Sequence, residues 1–357
     1  MKFIHAADLH IDSPLRGLDR YEGAPVDRLR AATRGALERL VALAIDESVD
    51  FVLLAGDVYD RDWPDFHTGL FFREQMLRLH HAGIRVFMVQ GNHDAQGVIT
   101  RSVPLPDNVH LFSSRKAECL RLDELGAAIH GRSFPDRAVD EDLVPDYPEP
   151  VAGLFNIGLL HTSLTGRAGH DNYAPTSEAV LSAKGYDYWA LGHVHAREVI
   201  QETAPRIVFP GNTQGRHARE IGPKGCELVA LKSGAPESRF VALDSVRWHR
   251  IDIDLTDVDG EPALERAFLD AVRPKLDSER LHALRVELSG NTALHALEAA
   301  QPGRLEALLR GAAQDLETSG DDVWIEKVKL NLSSPVNREQ LAEREDALGE
   351  LIRLVDT

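Results

Sequence analysis

Five short segments of this chain carry side chains that commonly bind metal ions. They are Asp8-Leu9-His10, Gly56-Asp57, Gly91-Asn92-His93-Asp94, His161 and Gly192-His193-Val194-His195. Each segment follows an apolar run of strand length, so each is predicted to lie at the end of a β-strand. Five strand ends that converge on one place would supply the mixed oxygen and nitrogen ligands of a two-metal hydrolase.

Each segment has another interpretation when it is taken alone. Asp8 could be a turn residue and His10 a surface residue. The Gly56-Asp57 pair could form a simple turn at a strand end, and His161 could be a hydrogen-bonded histidine of the core. The joint occurrence of all five segments, each after a predicted strand, favours the metal site.

Phosphate ester hydrolysis is the chemistry that such a site serves best. It requires a nucleophile near neutral pH and neutralisation of the charge on the phosphate oxygens, and two metal ions about 3.5–4 Å apart provide both. One carboxylate must bridge the ions, and Asp57 is the candidate. Oxygen and nitrogen ligands favour Mn, Fe or Zn over a metal selected by thiolates. Asn92 would be a neutral ligand, which lets an anionic substrate approach.

Alternating strands and helices must position these residues. Apolar spacing predicts a strand over residues 1–8, a helix over 25–48, a strand over 51–55, a helix over 64–81 and a strand over 85–89. This order implies parallel strands with right-handed crossovers, whose carboxyl ends face one edge. Further strands are predicted at 109–112, 119–122, 127–130, 154–160 and 187–191. Four more, at 198–202, 207–210, 227–231 and 239–243, are predicted to be antiparallel.

The length of 357 residues predicts more than one domain. We expect an α/β two-sheet sandwich over residues 1–245. A small α+β cap domain of order β-α-β-α-β should cover residues 246–335. An amphipathic C-terminal helix, at Asn337–Val355, is expected within residues 336–357, where it would dock on a partner or close the cap.

Charge and cysteine content restrict the partners and the compartment. The formal net charge of −17 argues against nonspecific coating of nucleic acid. It does not exclude a nuclease, because two dications reverse the local field where a phosphate binds. Cys119 and Cys226 lie in no metal-binding spacing, and no run is apolar enough to span a bilayer. Asp8 and His10 interrupt the only candidate secretory segment. We therefore expect a cytoplasmic protein.

The five segments in this order resemble the motifs of the calcineurin-like metallophosphoesterases, over about the first 210 residues. Within that superfamily, two stretches resemble the bacterial DNA repair exonucleases of the SbcD type, in particular the YhaO branch. They are His5-Ala6-Ala7-Asp8-Leu9-His10-Ile11-Asp12-Ser13-Pro14 and Gly56-Asp57-Val58-Tyr59-Asp60. The added cap is similar to theirs as well. The resemblance implies a two-sheet metallophosphoesterase sandwich with a cap.

The resemblance also implies ligand sets and a catalytic pair. One metal would take Asp8, His10, Asp57 and His195, and the other would take Asp57, Asn92, His161 and His193. His93 would donate a hydrogen bond or a proton to the departing oxygen, with Asp94 orienting its ring.

Several residues near the motifs have open roles. In this resemblance, archaeal and eukaryotic relatives carry His where this chain has Asp60. Any role of that His in nuclease activity therefore cannot be assigned to Asp60. Asp60 would either cap its loop or support catalysis. Arg16, Arg61, Arg216 and His217 lie in loops that should border the same edge, and we predict that they contact phosphate.

The leading prediction of function is a two-metal-dependent DNA phosphodiesterase of DNA repair, an exonuclease or endonuclease that uses a metal-bridging hydroxide. The resemblance implies Mn²⁺, a homodimer formed through the phosphoesterase domain and an SbcC-like coiled-coil ATPase partner. Two alternatives stay open. The first is a small-molecule phosphodiesterase or phosphatase on the same fold. The second is a mainly non-catalytic subunit that positions a partner on DNA.

Overall fold

The chain divides into two compact units, Met1–Arg247 and Trp248–Thr357. The computed structural model describes residues 1–13, 23–60, 66–95, 103–164, 173–232, 234–256, 258–318, 320, 322–335, 346 and 350. Apart from positions 346 and 350, the predicted helix at Asn337–Val355 therefore lies outside the described residues. Within the described part, no helix has the length and apolar character needed to cross a membrane. The cytoplasmic location stays a prediction.

The first unit contains twelve strands among its described residues. They are β1 (Lys2–Ala6), β2 (Phe51–Ala55), β3 (Arg85–Val89), β4 (Val109–Leu111), β5 (Glu118–Leu122), β6 (Ala127–Gly131), β7 (Phe155–His161), β8 (Tyr188–Gly192), β9 (Glu198–Gln201), β10 (Arg206–Phe209), β11 (Gly225–Lys232) and β12 (Ala235–Ala242). Its helices are α1 (Val26–Asp46), α2 (Phe66–His81) and the short α3 (Glu178–Ala183).

These strands form two six-stranded sheets with the orders β12-β11-β1-β2-β3-β4 and β5-β6-β7-β8-β10-β9. In the first sheet β1, β2, β3 and β4 run parallel. In the second sheet β6, β7, β8 and β10 run parallel. The carboxyl ends of the parallel strands therefore share an edge within each sheet, which is where α/β proteins place ligands. The predicted α/β sandwich is confirmed.

One part of the predicted pairing was wrong. The four strands after residue 198 are not one antiparallel group, because β10 pairs parallel with β8 and antiparallel only with β9. The other two, β11 and β12, pair with each other and extend the first sheet beside β1. The connection between β10 and β11 crosses from one sheet to the other. An apolar run shows that a strand is buried but does not specify its neighbour.

Alternating side chains of the central strands fill two separate cores. In β2, Phe51, Leu53 and Ala55 belong to the core between the sheets, while Val52 and Leu54 pack in the core that includes α1 and α2. Both faces of the strand are thus buried, and successive side chains point to opposite faces. This burial explains why the strands that carry the site read as continuous apolar runs rather than as alternating ones.

The second unit is a smaller α+β fold. Its elements are β13 (Val246–Asp254), which begins at the end of the first unit, α4 (Glu261–Val272), β14 (Leu281–Asn291), α5 (Leu294–Ala300), α6 (Arg304–Thr318) and β15 (Asp322–Ser333). The sheet order is β13-β14-β15, and β14 runs parallel to β15. The sequence did not predict α5. This helix has seven residues, of which only Leu294 is buried, so its apolar spacing carried little signal.

Candidate metal centre

The ends of five strands position the predicted ligands. Asp8 and His10 follow β1, Asp57 follows β2, the 91–94 segment follows β3, His161 ends β7, and the 193–195 segment follows β8. Backbone hydrogen bonds connect these loops. The Asp8 N–H donates to Gly56 O at 3.1 Å and the His10 N–H donates to Asp57 O at 3.0 Å. The loops therefore form one connected edge rather than independent segments.

Three groups of donor atoms lie at this edge among the described residues. In each group the nitrogen and carboxylate oxygen atoms lie within 4.8 Å of one another. Two of them consist of predicted ligands, namely Asp8, His10 and His195, and Asp57, His161 and His193. The third group joins the ligand His10 to Asp60 and His93. Asn92 Oδ1 lies 3.0 Å from His161 Nε2, beside the second group. The structure thus brings together all seven predicted ligands.

Asp57 belongs to the group with His161 and His193 and also lies close to the group with Asp8, His10 and His195. Its Oδ2 is 3.9 Å from His10 Nε2 in one group and 3.5 Å from His161 Nε2 in the other. A carboxylate in this position can bridge two cations, as the sequence predicted for Asp57. The oxygen and imidazole nitrogen donors fit divalent Mn, Fe or Zn, and no thiolate takes part.

The backbone of the ligand loops is unusual. Asp8, His10, Asp57 and His193 are not glycine, yet their φ angles are 52°, 44°, 52° and 102°. Such conformations cost on the order of 1–3 kcal/mol each and persist only where the surroundings enforce them. The strain falls on four of the seven predicted ligands, which is the pattern expected of a functional site.

Two glycines of the motifs are required by close packing. A Cβ on Gly91 would lie 2.3 Å from Asp57 Oδ1, and a Cβ on Gly192 would lie 1.9 Å from Ala55 O. Any side chain at these positions would displace a ligand or the end of β2. The Gly-Asn-His-Asp and Gly-His-x-His patterns therefore reflect how tightly the two sheets approach at this edge.

Hydrogen bonds fix which imidazole nitrogens face the centre. His161 Nδ1 lies 2.9 Å from Ala55 O, and a carbonyl can only accept, so Nδ1 carries the hydrogen and Nε2 faces Asp57. Burial holds the pKa of His10 well below its usual value, and the charge of Arg216 acts in the same direction. A neutral imidazole is the form that binds metal.

Asp94 connects two of the loops that carry predicted ligands. Its buried carboxylate accepts backbone hydrogen bonds from Val58 at 3.1 Å, Tyr59 at 2.9 Å and Gly91 at 3.3 Å, so it joins the loops after β2 and β3. That Asp94 orients His93 stays a prediction. A second carboxylate lies beside the ring, with Asp60 Oδ1 2.7 Å from His93 Nδ1.

Asp60 is an ionised partner of His93. Burial alone would raise its pKa, but the contacts with His93 and Ser13 and the charge of Arg216 outweigh burial and lower the pKa of Asp60 to about 2. The Ser13 hydroxyl donates to Asp60 Oδ2 at 2.6 Å. Of the two roles left open by the sequence, the contact with His93 supports a part in catalysis.

The predicted phosphate contacts have different positions. The Arg216 guanidinium is largely buried, 3.3 Å from Glu220 Oε1 and 3.7 Å from Asp60 Oδ2. The His217 side chain is 54% exposed at the border of the site. Arg16 and Arg61 lie outside the described residues. Their contacts with substrate stay predictions.

Glu220 is a residue of the site that sequence reasoning missed. Its Oε1 accepts a hydrogen bond from His195 Nδ1 at 2.7 Å. Burial would raise the pKa of Glu220, yet the bond from His195 and the charge of Arg216 hold it well below its usual range. No motif marks this glutamate, because it lies 25 positions after its partner and on an irregular segment.

Comparisons with known proteins agree with this geometry. The family model for calcineurin-like phosphoesterases matches residues 1–197. The model for the middle domain of metallophosphoesterase YhaO matches residues 248–333. The uncharacterized metallophosphoesterase YhaO of Bacillus subtilis strain 168 is 35% identical over 327 residues, which cover 91% of this chain and 80% of that protein.

Two relatives are named as nucleases or repair proteins. The SbcD component of the nuclease SbcCD of Bacillus subtilis is 25% identical over 334 residues, covering 80% of this chain and 83% of that protein. The DNA double-strand break repair protein Mre11 of Methanopyrus kandleri is 26% identical over 295 residues, covering 73% of this chain and 60% of that protein. With its sandwich, its grouped donors and these matches, the chain belongs to the calcineurin-like metallophosphoesterase family.

Proposed function

We propose that this protein is a two-metal-dependent phosphodiesterase that cleaves DNA. The observation that supports it most directly is the position of Asp57, whose Oδ2 lies within 4 Å of an imidazole nitrogen of each donor group. Asp8, His10, Asp57 and His195 would hold one ion, and Asp57, Asn92, His161 and His193 the other. When bound, the two cations would supply a water of lowered pKa and neutralise the phosphate.

His93 is the proposed proton donor to the departing oxygen. Its Nδ1 lies 2.7 Å from the carboxylate of Asp60, which leaves Nε2 as the nitrogen that can act on substrate. An ionised carboxylate beside the ring stabilises the protonated imidazole. The pair thus keeps a proton available at the site, as a general acid requires.

The choice of DNA and of Mn²⁺ rests on the relatives and the ligands. Two relatives are a component of a nuclease and a double-strand break repair protein, and Mn²⁺ accepts the oxygen and imidazole donors found here. We propose that His217, which is exposed at the border, contacts phosphate together with Arg16, Arg61 and Arg216. The charge of Arg216 is already offset by Glu220 and Asp60, so we expect it to contribute less.

The proposed assembly is a homodimer with an SbcC-like ATPase partner. The partner is suggested by the relative that is one component of the nuclease SbcCD. For the dimer, Phe66 and Leu70 lie one turn apart on α2 with exposures of 50% and 55%, and burying such a pair against a second copy is favourable. If the dimer forms there, Leu70→Glu should give a monomer by light scattering, whereas Leu330→Glu in the other unit should not.

The test of the activity compares substrates side by side. End-labelled DNA, bis-p-nitrophenyl phosphate and cyclic nucleotides are incubated with Mn²⁺, and Asp57→Asn serves as the inactive control. We expect Mn²⁺-dependent release of nucleotides from DNA. Cleavage of the small esters without DNA would support the small-molecule phosphodiesterase, which the net charge of −17 favours. A protein that turns over no substrate with any metal would support the non-catalytic subunit.

A further inference from the structure

We propose that Glu220 is a positioning residue for the metal ligand His195 and that it sets the affinity of one of the two metal sites. It would do so by fixing the tautomer and the orientation of the His195 ring. The inference rests on the two-metal site of the proposed function and deepens it. None of the five sequence motifs contains Glu220.

Two contacts of His195 Nδ1 compete, and the shorter one decides the tautomer. Glu220 Oε1 lies 2.7 Å from His195 Nδ1, and an ionised carboxylate only accepts hydrogen bonds. The Arg216 guanidinium, which can only donate, lies farther from the same nitrogen, with Nη2 at 3.2 Å. The shorter contact, to the charged acceptor, places the hydrogen on Nδ1. His195 Nε2 then presents its lone pair toward the centre, where it lies 3.9 Å from Asp8 Oδ1 and 3.1 Å from His10 Nε2. This is the arrangement that a metal ion shared by Asp8, His10 and His195 requires.

The carboxylate of Glu220 is itself held in place. Its Oε2 accepts from Asn212 Nδ2 at 3.0 Å and from the Arg216 N–H at 2.7 Å. Asn212 is fully buried, and its Nδ2 also donates to Gln214 O at 2.8 Å. A supporting side chain that is locked by its own hydrogen bonds keeps the ligand within the narrow range of orientations that binding needs.

The two halves of the centre differ in the group that accepts a hydrogen bond from the Nδ1 of a ligand histidine. His161, in the other half, donates from Nδ1 to a neutral backbone carbonyl, Ala55 O, at 2.9 Å. His195 donates to a charged carboxylate, which is the stronger acceptor and makes the ring the more basic ligand. The support of His195 is a side chain and can be changed without touching a ligand. Removal of the Glu220 carboxylate should therefore lower the affinity of one metal site and leave that of the other unchanged.

Glutamine is not a neutral replacement at this position. The amide of Gln has one acceptor oxygen and one NH₂ group. If the oxygen faces His195, the NH₂ group faces two donors, Asn212 Nδ2 and the Arg216 N–H. If the NH₂ group faces His195, it favours the tautomer with the hydrogen on Nε2. We therefore expect Glu220→Gln to impair the site almost as much as Glu220→Ala.

The experiment is an Mn²⁺ titration of the metal-stripped full chain by isothermal calorimetry. For the wild type we expect two binding events. In Glu220→Ala and Glu220→Gln one event should weaken about 10- to 100-fold, as is typical when an outer partner of a ligand is removed, while the other event stays unchanged. Glu326→Ala is the matched control, because Glu326 is a buried glutamate paired with Arg285 in the other unit.

Thermal unfolding of all variants in EDTA measures the purely structural effect of each change. Two wild-type events that persist unaltered in both Glu220 variants would overturn the inference alone. The same holds if both events weaken equally, or if Glu326→Ala weakens Mn²⁺ binding as much. A wild type that lacks two binding events would overturn the two-metal proposal and this inference with it.

Discussion

His93 is the side chain whose loss should separate chemistry from metal binding. It lies outside the two donor groups that hold the predicted ligands, although it forms a third group with Asp60 and the ligand His10, and its Nδ1 is 2.7 Å from Asp60 Oδ1. We expect His93→Gln to lower kcat by about 10²- to 10⁴-fold, the usual contribution of a general acid. Mn²⁺ affinity by calorimetry should not change. A variant with a lower kcat and a lower Mn²⁺ affinity would show that His93 helps to bind the metal ions.

A second histidine, His5, makes the free energy of unfolding depend on pH. Burial lowers the pKa of His5 to about 3, and this effect outweighs the hydrogen bond to Leu191 O, which acts in the opposite direction. Because a carbonyl only accepts, Nε2 carries the hydrogen, and Nδ1 accepts from the Tyr188 hydroxyl at 3.0 Å. The folded state therefore keeps this ring neutral where the unfolded chain protonates it.

The sign of the pH dependence follows from this shift. Below the usual pKa of 6.5 the unfolded state binds one more proton, so the free energy of unfolding falls with falling pH until about pH 3. In His5→Gln the fall should be shallower by about 1.4 kcal/mol per pH unit. Urea denaturation at pH 7.5, 6 and 5 measures it, with His80→Gln on the exposed face of α2 as control. An unchanged slope in His5→Gln would contradict the prediction.

The sequence predicts the candidate ligands but not the residues that contact them. Asp8, His10, Asp57 and the later ligands could be found because each follows an apolar strand. Asp60 and Glu220 act through side-chain contacts between segments far apart in the chain, 2.7 Å from His93 and from His195 respectively. No spacing rule encodes such contacts. For the same reason the sequence points to Asp94, which is adjacent to His93 in the chain, and leaves the role of Asp60 open.

At the level of the elements, Gly91 in the loop after β3 packs closely against Asp57, which follows β2, and His161, which ends β7. We expect Gly91→Ala to abolish tight Mn²⁺ binding, because the new Cβ would lie 2.3 Å from Asp57 Oδ1 and 2.7 Å from His161 Cε1. Gly311→Ala in α6 is the matched control, since nothing lies within 4 Å of a Cβ there. It should stabilise the protein by up to about 1 kcal/mol. Mn²⁺ titration and thermal unfolding measure both effects, and normal Mn²⁺ binding by Gly91→Ala would contradict the first.

Element type was easier to predict than element pairing. Buried strands such as β2 have a continuous apolar signature, and α1 was predicted within two residues of its observed bounds, Val26–Asp46. The parallel partnership of β10 with β8 was missed because it depends on a connection that changes sheets. Strand order is set by packing between elements that are far apart in the chain. A single sequence gives evidence of this packing only where motifs mark the strand ends.

For the whole molecule, the net charge of −17 means that DNA should be attracted chiefly by the bound metal ions. We expect a protein of this net charge to neutralise few phosphates. For a single strand, the logarithm of the binding constant falls by about 0.7 per neutralised phosphate for each unit of the logarithm of salt concentration. We therefore expect DNA binding to require Mn²⁺ and to depend only weakly on salt, with a slope of magnitude below about 4.

Fluorescence anisotropy of a labelled single strand measures this dependence in the slowly cleaving variant His93→Gln, which retains both donor groups around Asp57. Titrations with Mn²⁺ and with EDTA at increasing NaCl should differ strongly in affinity. The variant His93→Gln/Asp57→Asn, in which the shared carboxylate is removed, should resemble the EDTA series even with Mn²⁺ present. Equal affinity in EDTA, together with a steep salt dependence, would instead show that a cationic surface of the chain binds the phosphates and that the metal ions serve only in cleavage.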